Sequence, residues 1–114
     1  MDKKTRGHTA ELAAVAFLRS KNYTIVETNY TCSLGELDII ARDGDELVFV
    51  EVRSRANAEH GDALDAVGPA KQRQVARVAQ VYLGAESPSF VTCRFDVIGI
   101  TDGKLEHIVD AFRA

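Results

Sequence analysis

Asp38, Glu51 and Arg53 are the residues of this chain whose types and spacing suggest chemistry. They fall in two segments, Gly35-Glu36-Leu37-Asp38-Ile39-Ile40 and Phe49-Val50-Glu51-Val52-Arg53-Ser54-Arg55, with Asp43-Gly44-Asp45 between them. Side chains alternate faces along a strand, so Glu51 and Arg53 share one face while Val48, Val50 and Val52 take the other. A hairpin centred between Gly44 and Asp45 sets Asp38 directly opposite Glu51, with Cβ atoms about 4.5–5.5 Å apart. An odd-length loop would separate them. Two carboxylates held that close repel and raise each other's pKa unless something positive lies between them, and a hard divalent cation, Mg²⁺ or Mn²⁺, is the usual solution. A metal so held activates water, polarises a phosphoryl oxygen and stabilises a leaving oxygen. The competing reading is structural: Asp38 and Glu51 pair with Arg53, Arg55 or Lys71 on a solvated sheet face. Spacing alone does not separate the two.

The elements that would position these residues can be read along the chain. From about Thr9 to Lys21, Ala10, Ala13, Ala14, Phe17 and Leu18 recur at helical spacing and predict a first helix. Thr24 to Tyr30 is rich in β-branched and aromatic residues and predicts a short strand. Gly35 to Arg42 and Glu46 to Arg55 predict two strands paired antiparallel across a glycine-containing turn. Gly68-Pro69 predicts the start of a second helix, because proline lacks only an N–H that has no partner in a first turn. This helix runs to about Leu83 with Val75, Val78, Ala79, Tyr82 and Leu83 buried and Arg73, Arg77 and Gln80 away from them. Ser89 to Thr101 alternates Val91, Cys93, Phe95 and Val97 against Thr92, Arg94, Asp96 and Ile98, and Asp102-Gly103 leads into a last strand from Lys104 to about Phe112. The expected fold is α/β in the order α-β-β-β-α-β-β.

With 114 residues, 46% of them hydrophobic, and no polar linker, residues 1–114 are expected to form a single domain. Basic residues occur near the N-terminus, but no apolar run is long enough for a signal peptide or a bilayer span, so a cytoplasmic protein without a membrane partner is expected. A formal net charge of -3 argues against strong non-specific DNA binding, which depends on phosphate neutralisation. A local basic patch is still available from Arg53, Arg55, Lys71, Arg73 and Arg77. Cys32 and Cys93 are too few and too isolated for a disulfide framework or zinc, and read as packing residues. His8, His60 and His107 lack ligand spacing and read as surface or turn residues. Arg94 and Asp96 share a strand face and should form a structural ion pair near the site edge.

Asp38, twelve intervening residues, then Glu51-Val52-Arg53 resembles the PD-(D/E)xK pattern of restriction-endonuclease-like nucleases. The chain is closer still to the YraN-like family of small bacterial proteins. The matching segments are Gly7 with Ala10-Glu11, Asn29, Gly35 to Asp38, Phe49 to Arg55, Gly61, Lys71, Ala79 with Tyr82-Leu83, Arg94 to Val97, and Ala111-Phe112. This resemblance implies a restriction-endonuclease-like core, a mixed central sheet flanked by helices, and a Mg- or Mn-dependent nuclease acting on DNA phosphodiesters. By analogy with archaeal Holliday-junction resolvases it adds Glu11 as a third carboxylate beside Asp38 and Glu51 at the metal, and it implies a homodimer. Arg55, Lys71, Arg73 and Arg77 are the expected nucleic-acid contacts, and His60 before Gly61 stands where relatives favour an aromatic. One position departs from the pattern, because a lysine usually occupies the place of Arg53. Arginine stays protonated, so it can neutralise charge on a phosphate but cannot act as a base. Lys71, one turn before Val75, could supply a second cation. Two readings stay open: an endonuclease using Glu11, Asp38, Glu51 and Arg53, or a catalytically degenerate module acting by nucleic-acid or protein binding.

Overall fold

A computed structural model gives the fold and describes residues 3–55 and 67–113. The elements are α1 (Lys3–Ser20), β1 (Thr24–Cys32), β2 (Gly35–Asp43), β3 (Glu46–Arg55), α2 (Pro69–Glu86), β4 (Thr92–Thr101) and β5 (Lys104–Phe112). Their order is the one expected from sequence. The five strands form one sheet in the order β1-β2-β3-β4-β5. β3 and β4 run parallel and the other neighbours antiparallel, so the fold is α/β with a mixed sheet. The parallel pair follows from the crossover through α2, since parallel neighbours require a long connection.

The two helices cover opposite faces. On one, Val75, Val78, Ala79 and Tyr82 of α2 pack with Leu37, Ile40, Leu47, Phe49, Phe95, Val97 and Phe112. Phe49, Phe95 and Phe112 stack in a row with centroids 5.5 Å and 5.0 Å apart, and Tyr82 meets Tyr30 and Phe49 edge-on. On the other face, Ala10, Ala14 and Leu18 of α1 pack with Ile39, Ala41, Val48, Val50, Val52 and Ile98. Small residues on α1 let the helix lie close to a sheet made broad by β-branched side chains.

Several expectations require correction. Helix α1 begins at Lys3, well before Thr9, because the first two turns carry no apolar periodicity to mark them. Ala13 is exposed; the buried stripe is Ala10, Ala14 and Leu18, a strict four-residue repeat turned toward Glu11 and Val15. Cys93 is exposed and Cys32 partly buried, since the first residues of β4 run past the edge of the helical cover. His107 is largely buried rather than superficial, for reasons given below.

The turn between β2 and β3 closes as expected. Asp43 pairs with Glu46, leaving Gly44-Asp45 as a two-residue loop with Gly44 at φ +63°. Positive φ at the first central residue is the type II′ requirement that glycine meets without strain. The register therefore runs Ile40↔Phe49 and Ile39↔Val50, where the pairing ends one residue short of Asp38 and Glu51.

Candidate functional site: a buried carboxylate pair where β2 leaves β3

At Asp38 the alternation of β2 breaks. Leu37 and Ile39 are two residues apart, yet Leu37 joins the α2 layer and Ile39 the α1 layer. The neighbouring strand switches at the same level, with Asn29 at φ +55° between Thr28↔Ile39 and Tyr30↔Leu37. Asparagine tolerates the left-handed region better than most residues, and glycine is the type that adopts it most readily. The β2–β3 ladder stops at Ile39↔Val50. A side chain replaces the missing strand, for the Val52 N–H donates to Asp38 Oδ2 at 2.8 Å.

Glu51 follows the phase of Leu47 and Phe49 and so points into the α2 layer, where it is 1% exposed. Among the described residues neither of its carboxylate oxygens has a hydrogen-bond partner. Two cations stand near: Arg53 Nη2 lies 3.0 Å from Glu51 Oε2, and Lys71 Nζ lies 3.9 Å from it. Arg53 supplies charge without a well-directed hydrogen bond, since its Nη1 donates to the Val52 carbonyl at 3.1 Å. Burial raises the Glu51 pKa most, the Asp38 charge raises it further, and Arg53 and Lys71 offset only part, leaving it at about 7. Asp38 is also raised, chiefly by burial, with the Val52 N–H, Arg53 and Lys71 pulling the other way. A buried carboxylate is ordinarily hydrogen-bonded or bound to a metal. Here it is beside a second carboxylate, with neither oxygen hydrogen-bonded and Oε2 facing Arg53 and Lys71, and a hard divalent cation fits that donor pair.

Lys71 is held by a contact that sequence reasoning missed. Its Nζ donates to Gln74 Oε1 at 3.2 Å, while Gln74 Nε2 donates to the Leu34 carbonyl at 3.2 Å. Gln74 thus ties α2 to the β1–β2 turn. Gly35, at φ +141°, permits this approach, because a Cβ there would stand 2.7 Å from Gln74 Nε2. The i, i+3 spacing of Lys71 and Gln74 on one helix face was the available signal.

Glu11 reaches the same end of the sheet from the α1 side. Its Oε1 accepts a hydrogen bond from Asn29 Nδ2 at 2.6 Å. Burial raises its pKa most, the Asn29 bond opposes this, and the Asp38 charge raises it again. Among the described residues, no three acidic, histidine or cysteine side chains converge tightly enough to hold a metal. Asp38 and Glu51 are neighbours, and Glu11 is coupled to Asp38 through charge.

The remaining expected contacts fall elsewhere. Arg73 and Arg77 line a depression with Arg113, and Glu51 is not among the residues lining it. The Arg55 side chain, His60 and Gly61 lie outside the described residues. Arg94 and Asp96 do pair, at 2.9 Å, but not at the site edge. They lie beside Val48 and Val50 in the parallel register and so face α1, the layer opposite Glu51. There Arg94 also meets Glu46, Asp43 and Tyr23, while Asp96 accepts hydrogen bonds from His107 and the Asp110 N–H. A cleft of about 640 Å³ adjoins this cluster at the start of β4 and the end of β5, and it does not include Glu51.

Residues 10–100 match the family described as Uncharacterised protein family UPF0102. A UPF0102 protein of Geotalea daltonii is 45% identical, with 97% of this chain and 91% of the relative covered. UPF0102 proteins of Nitrosomonas eutropha and Moorella thermoacetica are 44% and 39% identical, with 96% and 95% of this chain and 94% and 90% of those proteins covered. The fold is that of a small α/β domain with a carboxylate pair on its sheet. The chain belongs to the UPF0102 family. Among the described residues no helix is long and apolar enough to cross a membrane.

Proposed function

We propose that this UPF0102 protein is a YraN-like member of the restriction-endonuclease-like PD-(D/E)xK superfamily and a divalent-metal-dependent nuclease acting on DNA. The observation that carries the reading is the Glu51 carboxylate, buried with two unsatisfied oxygens beside Asp38 at the point where β2 parts from β3. A buried carboxylate without hydrogen bonds is costly even beside a cation, and such groups cluster where something binds them. Asp38 and Glu51 would hold the cation, with Glu11 contributing negative charge from the α1 side. Bound there, Mg²⁺ or Mn²⁺ supplies Lewis-acid polarisation of a phosphoryl oxygen and lowers the pKa of a coordinated water. The chain's own part is electrostatic. Arg53 places a permanent charge 3.0 Å from Glu51 Oε2, where it can meet a phosphate oxygen, and the strand's Val52 N–H fixes the Asp38 carboxylate. Lys71, oriented by Gln74, is the movable cation that a lysine in place of Arg53 would otherwise provide.

A second reading is favoured by one contact: the guanidinium of Arg53 already offsets the charge of Glu51, so the fold could bind nucleic acid or a protein without turnover. Titration of Mn²⁺ into wild type and Asp38→Ala, with cleavage assays on labelled junction, flap, single-stranded and duplex DNA, separates the readings. The nuclease reading expects one Mn²⁺ site lost in Asp38→Ala and metal-dependent cleavage by wild type. Binding without cleavage, with activity emerging only in Arg53→Lys, establishes the degenerate site. Absence of Mn²⁺ binding by wild type would falsify the metal roles of Asp38 and Glu51.

A further inference from the structure

We propose that Arg73, Arg77 and Arg113 form a docking groove for the phosphodiester backbone of a nucleic acid leading to Glu51, an inference that rests on the carboxylate reading above. A depression of about 310 Å³ lies between the outer flank of α2 and the end of β5, lined by Arg73, Arg77 and Arg113 with Gln72, Gln80, Ala76 and Pro69. No carboxylate among the described residues lines it. In a chain of net charge -3, three guanidinium groups around one depression make a local field opposite to that of the whole. Arg73 and Arg77 are four apart on one helix, a like-charge spacing that destabilises the helix slightly. Neither pairs with a carboxylate among the described residues. Among the described residues Arg113 pairs with Asp110 alone, at 3.2 Å and with its side chain 87% exposed, a contact weak enough to exchange for a phosphate.

Arg113 reaches α2 because β5 is bulged. Between Val97↔Ile108 and Phe95↔Phe112, β4 advances two residues while β5 advances four. The extra residues include Asp110 at φ +53°, whose N–H donates to buried Asp96 Oδ1 at 2.9 Å. The count is even, so Phe112 keeps the face of Ile108 and stacks on Phe95 within the α2 layer, delivering Arg113 to the rim of α2. Re-aiming a side chain in this way is a common use of a bulge. The groove lies on the Glu51 side of the sheet. Glu51 pairs with Val97, and Phe112 pairs two residues back on the same strand, so their backbones are roughly 12 Å apart, two strand spacings across and two residues along. At about 3.4 Å per nucleotide that separation spans roughly four nucleotides of one strand. Arginine forks match phosphate oxygens, and three guanidinium groups with no carboxylate among the described lining residues favour a polyanion.

The test is fluorescence anisotropy of the full chain, in chelator, with a labelled 30-mer duplex across 20–200 mM salt. The comparison is between wild type, the triple variant Arg73→Gln/Arg77→Gln/Arg113→Gln, and the corresponding triple lysine variant. For the glutamine variant we expect at least about a tenfold loss of affinity at low salt and a fall of about 3 in the log–log salt slope, near 0.9 for each phosphate no longer neutralised. The lysine variant should keep the slope. If the glutamine triple does not fold by circular dichroism, Arg77→Gln alone should lower the slope by about 0.9. Equal affinity and slope in wild type and the glutamine variants overturn the groove while Mn²⁺ titration still reports on the carboxylates. Displacement of the duplex by polyglutamate at equal concentration of charge overturns it in favour of an acidic protein. No duplex binding by wild type at 20 mM salt also overturns it, and Mn²⁺ binding then decides whether the site reading falls with it.

Discussion

Two buried carboxylates sit on opposite faces of the same sheet, and they are solved in opposite ways. Asp96 is 0% exposed and fully partnered by Arg94, His107 and the Asp110 N–H. Burial alone would raise its pKa, yet those hydrogen bonds hold it below the usual carboxylate range. Glu51 is 1% exposed, has no hydrogen bond, and is pushed up to about 7. Equal burial therefore does not mean equal purpose. A satisfied charge network holds a structure in one arrangement, here the bulge of β5. An unsatisfied carboxylate stores unfavourable energy that a bound cation can release.

The largest effect is expected where the satisfied carboxylate is removed. Asp96→Ala leaves Arg94 and His107 facing each other without their shared acceptor, and should cost about 3–5 kcal/mol in urea unfolding at neutral pH. A loss below about 1 kcal/mol, the range of an exposed pair, would mean that Glu46 and Asp43 suffice as partners for Arg94.

Glu51→Gln should act in the other direction. A folded pKa raised above the unfolded value means that the folded state binds more protons. Stability is then complete below about 4.5 and is lost as pH rises through about 7. In metal-free protein Glu51→Gln should match wild type near pH 4 and exceed it by up to about 3 kcal/mol at pH 8. Parallel unfolding curves for the two proteins from pH 4 to pH 8 would show that Arg53 and Lys71 satisfy Glu51 fully. Mn²⁺ sharpens the same contrast. At a hundredfold excess over its Kd it should stabilise wild type by about 2.7 kcal/mol, with no effect in Glu51→Gln.

The smallest effect is expected at Asn29. Asn29→Ala removes the hydrogen bond to Glu11 and places alanine at φ +55°, and should cost about 1–2 kcal/mol. Asn29→Gly keeps the backbone and should recover roughly half of that. If both variants are neutral in thermal unfolding, the strand switch at Asn29 and Asp38 does not depend on the asparagine.

The sequence by itself determined the element order, the start of α2 at Gly68-Pro69 and the antiparallel β2–β3 hairpin. Each follows from local rules: side-chain periodicity, proline at a first turn, glycine at a tight turn. Because strand register is a counting matter, the two-residue turn at Gly44-Asp45 was among the registers the spacing allowed, and it carries the pairing to Ile39 and Val50, one step short of Asp38 and Glu51. Periodicity failed where packing was not local. Cys93 and His107 have similar strand settings in the sequence, yet one is exposed and the other largely buried, since cover by a helix depends on where that helix lies. Tertiary structure alone assigned Glu51 and Asp96 to different layers, broke the alternation at Asp38 and Asn29, and inserted the bulge that carries Arg113 to α2. Those outcomes depend on two helices competing for two faces of a twisted sheet, a condition that no single strand's pattern contains.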